Sequence, residues 1–375
     1  MAKRKKIIID TDPGVDDAYA IALALQAFSE DVEVVGVTTI FGNVRRDDAT
    51  TNAKILIDGA VVRDGDAHRS APGAKIPVVD GAKVPLAQLP QGDALGAGAR
   101  DAEDANVFVA DFVHGTCGFG GVRDKYAEVF LKIDGAHEYV YDEGVDAADF
   151  IAKTCAEFPG EVSVLALASL TNLALTFRRH PACLRDMDEL IVLGGAFGVN
   201  GNVNPAAEAN ILGDPEAADE VLSTFSRCYV VGLDVTTRLT LSGAHIDQLA
   251  HAKGVDARGV VRDDMRAFLH AATQFYKAYH VDVANFDGIY MHDPTALLLA
   301  IPRMRHLFTF REGAVRVVTQ GITRGQTVLD VRGKWPVWNE WSEKSRCRVA
   351  LDVDVQAASR VFFHALGIDA ILDTE

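Results

Sequence analysis

Short apolar runs alternate along this chain with stretches whose apolar residues recur at helical spacing. Residues 7–9, 32–39, 162–166 and 190–193 read as buried strands, because each is an apolar run of strand length bounded by polar or glycine positions. Residues 18–28, 48–58 and 147–158, and a stretch from about Leu170, read as helices, and the periodic pattern returns at 108–114. This alternation predicts an α/β fold, a mostly parallel central sheet flanked by helices and joined by right-handed crossovers. Residues 235–290 read as more helical, 314–319 and 327–331 as further strands, and the Gly-, Pro- and Ala-rich stretch 68–104 as surface loops. No composition break marks a linker and no repeat is evident, so residues 1–375 are expected to form a single domain with helical and loop insertions. In open α/β sheets ligands gather beyond the carboxyl ends of the strands. The residues just after each apolar run are therefore where chemistry is expected.

The first such junction, Asp10-Thr11-Asp12-Pro13-Gly14-Val15-Asp16-Asp17, concentrates four carboxylates. Strand alternation spaces Asp10 and Asp12, and the Pro-Gly pair turns the chain so that Asp16 and Asp17 return beside them. One or two of these acids suit the cap of the following helix. The remainder repel one another unless a cation lies between them, and a hard oxygen set suits calcium or magnesium. Asn43 follows the second strand, and Ala168-Ser169-Leu170-Thr171-Asn172 follows the run ending at Leu167, where Ser169 or Thr171 is a candidate helix cap. After 190–193 comes a Gly- and Asn-rich stretch, Gly194 to Asn210, that contains Asn202, Glu208 and Asn210. Its donors and acceptors suit hydroxyl groups more than phosphate. Near the C-terminal third, His292-Asp293-Pro294 sets an imidazole beside another carboxylate, either as helix cap and ordinary histidine or as part of the same acidic cage.

Charge narrows the partners. With 37 basic and 53 acidic residues the formal net charge is -16, which disfavours nucleic acid and anionic membrane. The start Met-Ala-Lys-Arg-Lys-Lys runs straight into the first strand, and its Lys3 to Lys6 reads as a solvated tail, with a weak nuclear or anion-binding patch as the alternative. With no apolar run of membrane-spanning length and five cysteines that form no CxxC motif, the chain is expected in the cytoplasm, without a disulfide framework or structural zinc. There is no GxxxxGK[ST] and no GxGxxG after the first strand, so nucleotide-phosphate readings fall.

Taken in order, DTDPGVDDA, the Asn43 junction, NVNPAAEAN, DPEAAD and HDPTA resemble the inosine-uridine-preferring nucleoside hydrolase family over roughly residues 7–300. The wording AEANILGDPEAAD is most similar to its plant-type branch. The resemblance implies a calcium-dependent enzyme that hydrolyses the N-glycosidic bond of a free ribonucleoside (uridine, inosine or xanthosine) to ribose and base. It further implies Asp12 as water-activating base and calcium ligand, with Asp17, the Leu167 carbonyl and Asp293 completing the calcium shell and Asp10 supporting the cluster. Asp16, Asn43, Asn202, Glu208 and Asn210 are implied to hold the ribose, and His292 to assist the leaving base. Tyr276, Tyr279 and His280 are possible base-pocket residues whose spacing equally fits core packing. Family members assemble, and a homodimer is expected.

Two departures stand out. The family's His-Gly-x-Asp-Gly loop is replaced at the comparable stretch by Pro90-Gln91-Gly92-Asp93-Ala94-Leu95-Gly96, which has no histidine. Many members have Phe where this chain has Ala209, so the pocket is expected either to be more open or to be filled from elsewhere. A metal-dependent phosphohydrolase and a noncatalytic calcium-dependent nucleoside- or sugar-binding protein are the competing readings.

Overall fold

The computed structural model of the chain describes residues 3–60, 76–89, 93, 96, 98–99, 107–131, 144–251 and 259–369. Eleven strands lie among them: β1 (Lys5–Thr11), β2 (Val32–Thr39), β3 (Val78–Asp80), β4 (Val162–Ala166), β5 (Leu190–Leu193), β6 (Cys228–Val231), β7 (Thr240–Ser242), β8 (Gly288–Tyr290), β9 (Phe308–Val317), β10 (Thr327–Asp330) and β11 (Arg346–Val353). Nine of them form one sheet in the order β10-β9-β11-β6-β5-β4-β1-β2-β3. The run from β3 to β11 is parallel throughout, and only β9 and β10 are antiparallel to their neighbours. The mostly parallel sheet expected from the alternation is therefore present. β7 and β8 pair separately as a short antiparallel ribbon.

The apolar runs are continuous because both faces of the strands are covered. Ile7 and Ile9 of β1 face one core with Leu165 and Ile191, while Ile8 faces the other with Val164 and Val192. The first core is closed by helices Val15–Ala22, Asp263–Ala284 and His292–Ala300, the second by helices Ala147–Glu157, Thr171–Arg179 and Pro215–Thr224. β6, β11 and the helix Val355–Leu366 were not anticipated from the pattern. The basic start is not a solvated tail either. Lys3 pairs with Glu161, Lys5 with Asp188 and Glu189, and Lys6 lies near Glu33 and Glu161.

The connections place the site. From β1 the chain passes outward through β2 to β3, then returns to lay β4 on the other side of β1 and continues outward through β5 to β6. The loops leaving β1 and β4 thus diverge at their carboxyl ends and open a crevice, the switch point at which α/β sheets bind ligands. The Asp10 carbonyl accepts from the Leu167 N–H at 2.8 Å, so the two junctions meet at its base.

At the amino ends of the strands lies a different charge cluster. Arg305 forks onto Glu189 at 2.7 and 2.9 Å and stacks over Tyr229 with its guanidinium carbon 4.2 Å from the ring centroid, and Lys5 reaches Glu189 at 2.6 Å. Burial raises the Glu189 pKa, but hydrogen bonds from Arg305 and Lys5 outweigh it and hold the carboxyl down at about 2, against an ordinary 4.5. A depressed carboxylate stabilises the fold above its unfolded pKa and loses that contribution as pH falls towards the folded value. Glu189→Gln is expected to lower the urea unfolding midpoint at pH 7, a loss of ~1–3 kcal/mol for a charge-assisted network. The gap from wild type should narrow steadily between pH 4.5 and 2, as midpoints measured across that range will show.

Candidate active site

The acidic loop is shaped by one glycine and one asparagine from the next junction. At Gly42 (φ +155°) a β-carbon would lie 2.0 Å from Asp12 Oδ2, so only glycine lets the chain pass this close. The following residue, Asn43, donates its backbone N–H to Asp12 Oδ2 at 2.7 Å and its side-chain amide to Asp17 Oδ2 at 2.8 Å. Asp17 also accepts from Gly14 N–H at 2.9 Å and from the Thr11 hydroxyl, so the capping role open to it in sequence is filled by the same side chain that joins the cluster. Asp10 lies deeper. Its Oδ1 accepts from Thr38 at 2.6 Å and Asn172 at 2.8 Å, and its Oδ2 is buried with no hydrogen-bond partner.

Asp293 enters from the first turn of helix His292–Ala300, and its carboxyl touches that of Asp17. Asp16, Asp17 and Asp293 each offer an oxygen within 4.8 Å of the others. Burial raises all the acids of this cluster: Asp10 to about 6, Asp16 to about 8 with Asp17 beside it, and Asp12 and Asp293 well above the carboxylate range. The cause is low dielectric, compounded at Asp12, Asp16 and Asp293 by repulsion from neighbouring carboxylates. Such a set is satisfied by a cation or by protons. Asp16 Oδ1 is buried without a hydrogen-bond partner, as a vacant ligand atom would be, so these residues fit a bound divalent metal.

The resemblance gave Asp12 to the metal and Asp16 to the ribose. In the structure Asp16 stands in the metal-sized trio, and Asp12 is outside it, turned towards Asn43. The Leu167 carbonyl accepts from Asn210 Nδ2 at 2.8 Å, which leaves it one further lone pair.

Above the acids opens a cavity of about 510 Å³. It is lined by Asp16, Asn43, Leu167, Asn202, Glu208, Asn210, Tyr276, Tyr279, His280, His292 and Asp293, so these residues, far apart in sequence, share one space. Glu208 is the N-cap of the short helix Ala209–Gly213 and accepts from the N–H groups of Gly195, Asn210 and Ile211 at 2.9–3.0 Å. Asn202 Oδ1 accepts from Ala209 N–H at 3.0 Å. The polar loop is thus held rigid by the residues that face the cavity. His292 Nδ1 is 2.8 Å from the Thr236 hydroxyl. Neither Ser169 nor Thr171 caps the helix Thr171–Arg179, whose N-cap is Leu170.

The far end of the cavity corrects the expectation that no histidine loop is present. Of residues 90–96 only Asp93 and Gly96 are described, and neither lines the cavity. His114 does, from the sequence His114-Gly115-Thr116-Cys117-Gly118, which carries the His-Gly-x-x-Gly spacing with Cys117 in place of the acid. That spacing was the available signal, hidden inside the run 108–114 read for its helical period. His114 stacks on Tyr276 (centroids 4.9 Å, 22°), Tyr276 meets His280, His280 meets Tyr290, and Tyr290 meets His292. The Val15 N–H donates to His114 Nδ1 at 3.2 Å, so the ring carries its proton on Nε2. Burial pushes His114 and His292 down to about 3 and His280 to about 4, so all three are neutral at physiological pH. Ala209 lines the cavity as well, and aromatic surface comes from elsewhere: Phe108, Phe112 and Tyr279 meet in series, tilted and edge to face, with centroids 6.0 Å apart.

The description "Inosine-uridine preferring nucleoside hydrolase" belongs to the family model that matches residues 7–360. A probable uridine nucleosidase 1 from Oryza sativa subsp. japonica is 39% identical over 354 residues, 94% of this chain and 93% of its own length. Uridine nucleosidase 1 of Arabidopsis thaliana is 38% identical over 364 residues, covering 95% of this chain and 91% of the relative. A solved plant nucleoside hydrolase superposes with a TM-score of 0.76 at 34% identity, covering 96% of this chain and 98% of that one.

If the acidic trio holds a divalent ion, adding calcium, magnesium or manganese to chelated protein should raise its thermal midpoint. Asp293→Asn is expected to abolish that increment. It should leave the metal-free midpoint equal or higher, because one repelling charge is gone. Differential scanning fluorimetry with and without chelator reads both effects.

Proposed function

The chain belongs to the inosine-uridine preferring nucleoside hydrolase family and is a nucleoside N-ribohydrolase; we propose that it cleaves uridine, inosine or xanthosine to ribose and free base, using calcium and Asp12. The observation that carries this reading is the juxtaposition of buried aspartates with a wall of asparagines and one glutamate, free of lysine and arginine among the described residues, across a cavity of nucleoside size. Calcium, held by Asp17, Asp293, the Leu167 carbonyl and Asp12 or Asp16, would supply positive charge that orients water and the ribose diol.

Asp12 accepts the proton of the attacking water at Oδ1, which takes only a long 3.4 Å bond from the Asn43 amide, whereas Oδ2 is held by the Asn43 N–H at 2.7 Å. The water oxygen bonds to the anomeric carbon as the glycosidic carbon–nitrogen bond breaks, and the electron pair leaves with the base nitrogen. The developing oxocarbenium character is stabilised by the surrounding carboxylates. Asp16, Asn43, Asn202, Glu208 and Asn210 hold the ribose hydroxyls. His292, placed by Thr236, assists the departing base, and His114, Tyr276, Tyr279 and His280 enclose it. Asp10 supports the cluster from below.

The phosphohydrolase reading is disfavoured because no lysine or arginine lines the cavity among the described residues. A binding protein would retain nucleoside without releasing base. The chain is further proposed to act as a single domain, as a homodimer and in the cytoplasm. Among the described residues no helix is long and apolar enough to cross a membrane.

Product-resolved assays should show equimolar ribose and base from at least one of uridine, inosine and xanthosine, lost on chelation and restored by calcium, with Asp12→Ala slower by about 10³-fold or more. Folded, calcium-loaded protein that releases no base from any of them would instead favour a binding role. Glu208→Gln, which keeps an acceptor for the loop N–H groups, is expected to raise KM about tenfold with a smaller change in kcat. Steady-state kinetics on the best substrate will decide whether Glu208 holds ribose or only the loop.

A further inference from the structure

Helix Arg46–Ala60 contributes nothing to the cavity wall, yet it buries one amide completely at Asn52. Asn52 Nδ2 donates to two carbonyls at once, Pro13 O at 2.9 Å and Cys117 O at 2.9 Å. Pro13 is the turn of the acidic loop and Cys117 the turn that follows His114, so a single nitrogen joins the metal side of the site to the base side. The junction is tight. A β-carbon on Gly118 (φ +83°) would lie 2.7 Å from Asn52 Nδ2 and 2.9 Å from Pro13 O. Asn52 Oδ1 is buried with no hydrogen-bond partner, so the position uses the two donors and not the acceptor.

We propose that Asn52 is a positioning residue for the base end of the active site. Its two N–H groups clamp the histidine loop onto the acidic loop and so set His114 over Asp16, with Nδ1 3.9 Å from Oδ1, and flat against Tyr276. Beside this clamp, the 3.2 Å bond from Val15 N–H to His114 also joins the two loops, and Ala110 N–H donates to Gly42 O at 3.0 Å. Two protons on one short side-chain atom are supplied here only by asparagine. Aspartate has the same shape but presents lone pairs to two carbonyls that also present lone pairs, which drives the loops apart. Both carbonyls that Asn52 holds, those of Pro13 and Cys117, belong to residues outside the ribose and metal assignments. Its loss should therefore displace the base contacts and leave the other end of the site in place.

The inference rests on the hydrolase reading above, and the test separates the two. In Asn52→Asp, kcat/KM for uridine and inosine is expected to fall about 10- to 100-fold, the cost of a small misplacement of a contact group. Inhibition by free ribose and the calcium-induced thermal shift should stay within about twofold of wild type. In a double-mutant cycle with His114→Ala, the double variant should be no slower than His114→Ala alone, because both changes remove the same contact. Asn52→Ser, which keeps one donor, should lie between wild type and Asn52→Asp and serves in its place if the aspartate variant does not fold. Parallel loss of ribose inhibition and metal response, or effects of Asn52 and His114 that multiply, would overturn the assignment. Absence of base release in the wild type would count against the hydrolase reading; the same cycle then runs on nucleoside dissociation constants, where non-additivity still supports the clamp and additivity overturns it.

Discussion

Five buried aspartates gathered at one end of one sheet cannot all remain ionised without positive charge among them. That electrostatic constraint organises the rest of the site. Strand β1 delivers Asp10 and Asp12, the Pro-Gly turn returns Asp16 and Asp17, and a helix from the far side of the first core adds Asp293. Neutral donors around them answer the negative charge: the Asn43 N–H and amide, the Thr11 and Thr38 hydroxyls, the Asn172 amide and the Gly14 N–H all donate inward. Donors of this kind moderate repulsion without cancelling it, because they add no net charge. The residual demand for a cation is what turns a structural liability into chemistry at an electron-poor sugar.

The two ends of the sheet divide the work. At the amino ends, Lys5 and Arg305 are balanced by Asp188 and Glu189 in a partly buried network stacked on Tyr229. In the aspartate cluster at the carboxyl ends the charges are all of one sign and an oxygen of Asp16 has no hydrogen-bond partner. Both clusters are built on the same strands. What differs is that the switch point between β1 and β4 opens space at one end only.

The cavity has a polar half and an aromatic half, and different elements supply them. The Asn- and Glu-bearing loop is stiffened by bonds from its own functional side chains to its own backbone, with Glu208 holding three N–H groups. Asp234 and Thr327 hold the loop from outside through Phe197, Gly198 and Ala196. The aromatic half comes from helix Asp263–Ala284, strand β8 and the segment around His114, joined ring to ring. A wall of this kind accepts a flat, uncharged group, and the absence of lysine and arginine among its described residues suits a neutral ligand.

What was legible in the sequence was local. The apolar runs marked β1, β2, β4 and β5 because strands covered on both faces need no polar alternation, and the acids at Asp10 to Asp17 stood out because so many like charges in one turn demand an explanation. Glu208 was legible as the acid of a Gly- and Asn-rich stretch and Asp293 as a candidate helix cap. Tertiary structure decided everything that depends on sites meeting across the chain: that Asp293 touches Asp17, that Asp16 and not Asp12 stands in the metal-sized trio, and that Tyr276, Tyr279 and His280 face a cavity and not only a core. His114 was missed because hydrophobic period reports which side of an element is buried, not whether its end borders a cavity. Asn52 was invisible for the same reason. A polar residue on a helix declares its purpose only when the two carbonyls it joins, 39 and 65 positions away, are brought to its nitrogen.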